Sequence, residues 1–272
     1  MTLRKSEIIE IARREGKITV EGLVDHFQVT PQTIRRDLSE LADAGQVERV
    51  HGGAVLPSTT TNIAYNERRS LNLSSKVDIA RECAKHIPND CAVFLNIGTT
   101  TEAVIDELRH HRGLLIITNN LNIATKASSH ANNEVIVIGG NLRKSDGGMV
   151  GALSREMISQ LRFDFAIIGC SALHEEGEIL DFDVQEVGVS KAIIARGDTV
   201  ILAADMSKFD RKAPAKVGSV ADVDIVVTNE VPPARFMQLC ARSDTKVIVA
   251  QKTTALAKPP PSEKTRPSRA RA

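Results

Sequence analysis

No stretch of the sequence reaches the roughly 18 consecutive apolar residues that a membrane-spanning helix requires. The amino-terminal MTLRKSEIIEIARREGK also lacks the apolar core of a signal peptide. These two absences predict a cytoplasmic protein. Cysteine is sparse: Cys83, Cys91, Cys170 and Cys240 form no Cys-x-x-Cys pair and have no histidine ladder nearby, which argues against a zinc site and a disulfide framework. No Gly-x-Gly-x-x-Gly loop occurs, so nothing supports a nicotinamide dinucleotide, and no cofactor is expected. Net charge is also nearly absent, at +1. A nucleic-acid reader therefore has to be argued from local features.

The 272 residues and their 42% apolar content are enough for two domains with proper cores. Residues 3–58 are helical in period and end in a short alternating stretch. Residues 59–74 are polar, weakly patterned and read as a linker. From 75 to 250, short Val/Ile-rich runs alternate with helical segments: Ala92–Ile97, Leu114–Thr118, Glu134–Ile138, Asp164–Ile168, Val200–Ala204, Asp224–Thr228 and Lys246–Ala250. Continuous apolarity suits strands buried on both faces, so the expected fold is an open, mostly parallel α/β sheet. Residues 251–272 hold six Lys/Arg against one acid, with three consecutive prolines, and predict a disordered basic tail.

In the first region, Ile8, Ile9, Ile11 and Ala12 give one helix an apolar face, closed by Gly16. Thr19 is placed to cap a second helix. Thr30 caps a third, with Pro31 in its first turn, so that about 20–39 reads as a helix-turn-helix. Ile34, Leu38 and Leu41 must face the core, which leaves Gln32, Thr33, Arg35 and Arg36 pointing outward near the helix start. A recognition helix needs this layout: Gln suits adenine, Arg suits guanine, and Thr suits the thymine methyl. The run QVERVHGGAVL after Gly45 reads as a wing carrying Arg49 and His51. Residues 1–55 nevertheless hold eight basic and nine acidic residues, a balance that a protein-binding three-helix module would share.

In the larger region, Asn96-Ile97-Gly98-Thr99-Thr100-Thr101-Glu102 runs from a strand through a Gly turn into a helix. The threonine hydroxyls and first helical N–H groups could cradle an anion there. Asn119 and Asn120, then Gly139 and Gly140 with Arg143, follow the next two strands, and Asp205, Ser207 and Lys208 follow a later one. Strand ends of one polarity converge in such sheets, which predicts a phosphate-and-hydroxyl site with Lys208 and Arg143 as cations. Asp181 and Glu186 are candidates for ligand hydroxyls.

The runs VTPQTIRRDLSELADAGQVERVHGGAVLP, DIARECAKHIP, NIGTTTEAV, TNNLNIA, GGNLRKSDGGMVG and DMSKFDRKA are similar to the DeoR family of bacterial repressors, nearly to residue 250. The resemblance implies a winged helix-turn-helix bound to double-stranded operator DNA. It also implies a homo-oligomer, taken as a tetramer, and release from DNA by a small phosphorylated effector such as glycerol 3-phosphate. The family's sensor domain resembles sugar-phosphate isomerases, so an isomerase-like enzyme with a fused reader is the alternative. Those enzymes carry an Asp-Gly-x-Asp-Glu run where this sequence reads Ile168-Gly169-Cys170-Ser171-Ala172, without the carboxylates that proton transfer requires. Binding without turnover is therefore expected. Two places depart from the family pattern: Asn96 stands where the family usually has Asp, and Val187–Lys191 is less basic than in relatives.

Overall fold

A computed structural model describes residues 3–15, 17–57 and 65–252. Gly16 and nearly all of the basic tail lie outside the described residues. The amino-terminal part comprises α1 (Leu3–Glu15), β1 (Lys17–Thr19), α2 (Val20–Phe27), α3 (Pro31–Asp43), β2 (Glu48–Val50) and β3 (Gly53–Val55). Thr19 caps α2 by accepting from the Gly22 N–H at 3.0 Å. Thr30 caps α3 by accepting from the Thr33 N–H at 3.3 Å, with Pro31 where no amide donor is needed. Between the two helices Gln28 adopts a left-handed φ of 52°, which lets the chain turn sharply into the recognition helix. Ile34, Leu38 and Leu41 are buried with Ile8, Ile18 and Leu23 in a core that belongs to this part alone.

The wing is the β2–β3 hairpin, and β3 also pairs with β1, giving an antiparallel sheet in the order β1-β3-β2. β1 was not expected, because its three residues are too few for alternation to register. Gly53 is obligatory here: a Cβ at that position would lie 1.8 Å from the carbonyl oxygen of Ile18. The strands can approach only because nothing projects between them.

Part of the stretch read as a linker is helical. Tyr65–Ser70 forms α4, and α5 runs from Leu73 to Ala84. Lys76, Ile79, Ala80 and Cys83 share the buried face of α5.

The larger part follows with β4 (Ala92–Leu95), α6 (Thr101–Glu107), β5 (Leu115–Thr118), α7 (Leu121–Ala127) and β6 (Glu134–Val137). A hairpin of β7 (Asn141–Arg143) and β8 (Gly148–Val150) leads into α8 (Ala152–Ser159) and β9 (Phe163–Ile168). Next come β10 (Ala172–Leu173), β11 (Glu178–Asp181), α9 (Val184–Ile194) and β12 (Gly197–Ala203). β13 (Ala215–Ser219), β14 (Ile225–Thr228), α10 (Ala234–Arg242) and β15 (Lys246–Val249) complete the described chain.

All seven apolar runs expected to be strands are strands. They form one sheet in the order β15-β14-β12-β9-β4-β5-β6, parallel at every pairing. β4 sends Phe94 into one layer and Val93 and Leu95 into the other, which is why its run is apolar throughout rather than alternating. Phe94 meets Phe163 with ring centroids 5.0 Å apart. The chain winds outward from β4 in one direction and then, from β9, in the other. Open α/β sheets bind ligands at such a reversal, outside the carboxyl ends of the two strands.

Candidate functional site

The reversal between β4 and β9 opens a cleft lined by Gly98, Thr99 and Thr100 after β4, and by Gly169, Cys170 and Ser171 after β9. Arg68, Asp181, Glu186 and Lys208 complete its walls. Gly98 has a φ of 151°, a conformation that side chains rarely adopt, and it lets the turn pass close to any guest. The Thr101 hydroxyl donates to the carbonyls of Asn96 and Gly98, each at 2.7 Å, so it fixes the turn and is not free for a ligand.

A second hollow adjoins the first and shares Arg68, Thr99 and Lys208 with it. Lys76, Asp205 and Arg211 also line it. Four cations thus crowd around one carboxylate. Burial and then the neighbouring Lys208 push Lys76 down to about 8, and burial followed by Arg211 lowers Lys208 as well. Burial works against the charged form of Asp205. Lys208, Ser207 and Lys76 outweigh it and hold that carboxyl below the usual range. Among the described residues neither Lys76 nor Lys208 has a carboxylate within 4.0 Å. Compact, partly buried positive charge without matching acids is what an anion such as phosphate would complete.

The other residues expected at the site sit around this centre, not in it. Arg143 makes ion pairs to Asp146 at 2.7 Å, Asp183 at 2.6 Å and Glu186 at 2.6 Å. Its charge is spent on acids, so it braces Glu186 from behind and is not available as a phosphate cation. Burial and the nearby Asp181 push Glu186 up to about 8 even though Arg143 pulls the other way. Asp181 accepts from the Ser171 hydroxyl at 2.9 Å. Glu102 is buried and accepts from the Tyr65 hydroxyl at 2.7 Å and from Asn120 at 3.1 Å, which anchors α4 to the sheet. Asn120 also caps α7, and Asn119 donates to the Met149 carbonyl at 3.1 Å. Gly139 and Gly140 lie beside α8, where a Cβ on Gly140 would fall 2.0 Å from the Ser154 hydroxyl. These four residues shape the strand ends.

Arg68, Lys76 and Arg211 were not anticipated. A signal existed for Lys76, a lysine at helical spacing with Ile79, Ala80 and Cys83 on an apolar stripe. The two departures from the family pattern turn out to touch. Asn96 is fully buried, accepts from the Ile97 N–H at 2.7 Å and donates to the Ser190 hydroxyl at 3.0 Å.

On the smaller part, Gln32, Arg35 and Arg36 are exposed along one side of α3, and Thr33 is half-buried beside them. Arg36 reaches Glu40 at 3.0 Å while remaining largely in solvent. Arg49 points back to α3, donating to the Arg35 carbonyl at 3.2 Å and the Ser39 hydroxyl at 2.8 Å, so it clasps wing to helix. His51 is exposed at the wing's turn. Arg4 binds Asp37, and Lys5 binds Glu40, which fastens α1 across α3.

A winged helix-turn-helix joined to an α/β domain has the architecture of a transcription regulator. Residues 4–60 match the model of the DeoR-like helix-turn-helix domain, and residues 71–230 match that of the DeoR C terminal sensor domain. The chain is 44% identical over 238 residues to the Glycerol-3-phosphate regulon repressor of Escherichia coli (strain K12), covering 88% of this chain and 94% of that one. It is 42% identical over 231 residues to the protein of the same name from Haemophilus influenzae, covering 85% and 90%. The chain belongs to the DeoR family and is a transcriptional repressor, not an enzyme. Superposition on ribose 5 phosphate isomerase A from Neisseria gonorrhoeae covers 56% of each chain at 12% identity with a TM-score of 0.37, too partial to bear on function.

Proposed function

We propose that this repressor leaves its operator when a small phosphorylated polyol, glycerol 3-phosphate, enters the cleft between β4 and β9. The observation that carries this reading is the grouping of Arg68, Lys76, Lys208 and Arg211 around Thr99 and Asp205, in which Lys76 and Lys208 have no carboxylate at ion-pairing distance among the described residues while Arg68 and Arg211 meet Asp146 and Glu48 at 3.6 Å. Asp181 and Glu186 supply acceptors for hydroxyls on the opposite wall. The names of the relatives from Escherichia coli and Haemophilus influenzae point to the same metabolite. Arg35 and Arg36 with Gln32 and Thr33 read base edges in the major groove, while Thr30 at the helix start and His51 on the wing face phosphates. The protein acts in the cytoplasm as a homo-oligomer, taken as a tetramer, on double-stranded DNA. Among the described residues no helix is long and apolar enough to cross a membrane. Isothermal titration of the full chain with glycerol 3-phosphate, glycerol and ribose 5-phosphate tests the assignment. Tight binding of the first alone supports it. Equal binding of glycerol would remove the phosphate from the argument.

A further inference from the structure

Among the described residues two ion pairs join the DNA reader to the rest of the chain. Lys17 of β1 meets Glu67 of α4, and Glu48 of β2 meets Arg211 at 3.6 Å. Each partner on the sensor side sits beside the anion cleft. Glu67 precedes Arg68, and Arg211 lines the cleft itself with Lys76 and Lys208. Arg211 also lines a separate space of about 310 Å³ between the two parts, along with Asp43, Val47, Glu48, Arg49 and Leu71. Its side chain is only 9% exposed and that of Glu48 is 18% exposed, so their attraction is weakly screened.

One guanidinium therefore borders two compartments. With the cleft empty, three like charges (Arg68, Lys76 and Lys208) repel Arg211, and Glu48 is the acid it meets. A phosphate dianion among those cations reverses the balance, drawing the guanidinium inward and away from the wing. Glu48 opens β2, and the next residue, Arg49, is the one that clasps the recognition helix at the Arg35 carbonyl and Ser39. A change at Glu48 is thus one residue from the element that sets the helix against the wing.

We propose that Arg211 couples effector to operator: bound phosphate competes with Glu48 for its guanidinium, and loss of that bridge frees the wing from the sensor. The inference rests on the phosphate reading of the cleft given above. By linkage, the factor by which the effector weakens operator binding equals the factor by which operator weakens effector binding. The Arg211–Glu48 bridge must carry a large part of that factor.

The test uses the full chain, an operator fragment isolated by in vitro selection, and Glu48→Gln, an isosteric change outside the anion cleft. Operator affinity is read by fluorescence anisotropy with and without glycerol 3-phosphate, and effector affinity by calorimetry. Wild type should lose operator affinity by about 5–150-fold on effector binding, the usual span of allosteric coupling. Glu48→Gln should bind operator more weakly without effector, change by less than about threefold when it is added, and bind glycerol 3-phosphate at least as tightly as wild type. Glu48→Asp, which keeps the charge on a shorter stem, should retain an intermediate response and so separate loss of coupling from loss of fold. If both variants are released by the same factor as wild type, the coupling proposal is overturned and the phosphate reading stands. If wild type neither binds glycerol 3-phosphate nor responds to it, the phosphate reading fails and takes the coupling with it.

Discussion

The recognition helix and the anion cleft both present clustered cations, yet they hold them in opposite ways. Arg35 and Arg36 stand in solvent on α3, one of them sharing Glu40, so water and salt already compensate them. Lys76 and Lys208 are pressed into the sensor without an acid at ion-pairing distance among the described residues. The first arrangement suits a long polyanion read by many weak, salt-sensitive contacts. The second suits one compact dianion, whose arrival relieves a repulsion built into the fold.

The sharpest break between the two is Lys208→Met together with Thr100→Val. Effector affinity should fall by roughly 100-fold or more, since a charged hydrogen bond contributes about 1.5–3 kcal/mol and other contacts go with it. Operator affinity should stay at the wild-type value, so that the variant represses regardless of effector. Release of this variant at the wild-type effector concentration would place the pocket elsewhere. Arg35→Ala or Arg36→Ala attacks the other cluster. A base-reading arginine should cost about 1–3 kcal/mol in operator binding and relax specificity, whereas a phosphate-binding one should lower the salt slope by about one. Mobility shifts at several salt concentrations distinguish these, and unchanged binding in both variants would refute the recognition-helix assignment.

A smaller effect separates the clusters by pH. Lys76 sits near 8, below its ordinary value, and a bound anion would raise it again. Effector affinity should therefore be steady between about pH 7 and 8, where the phosphate is a dianion, and decline above that range. Lys76→Gln should bind more weakly and show a shallower slope, with Glu186, also near 8, still titrating in the cleft, as calorimetry from pH 7 to 9.5 would show. The smallest effect expected is on folding: Thr30→Ala removes the cap of α3 and should cost about 1 kcal/mol in urea unfolding. A loss of several kcal/mol would mean that Thr30 does more than cap.

Much of this was legible because it is local. Val/Ile runs of four to seven residues gave away all seven strands of the sheet, and the Ile34-Leu38-Leu41 stripe placed the outward face of α3. The cleft was legible only in part. Gly98, Thr99, Thr100 and Lys208 were picked out from strand ends, and Asp181 and Glu186 as carboxylates for ligand hydroxyls, and all six do line it. Arg143, Glu102 and the Asn and Gly pairs were picked out by the same rule but spend their hydrogen bonds on the scaffold. Residue type at a strand end does not say whether a side chain turns toward ligand or toward protein. Arg68 escaped because residues 59–74 look polar and patternless, and Lys76 because a lysine on an apolar stripe does not say what it faces; their helices are held by partners far along the chain, Asp146 for one and the Asp205–Lys208 turn for the other.

The position of the cleft between β4 and β9 also sets a clock on synthesis. The reader has all of its core by residue 57. The cleft needs β9, Asp181, Lys208 and Arg211, more than 100 residues later. At about 5–20 residues per second, a nascent chain would carry a DNA reader for roughly 10–30 s before any effector site could exist. A chain truncated anywhere in that interval holds the folded core of the reader but neither the effector site nor the Arg211 partner of Glu48.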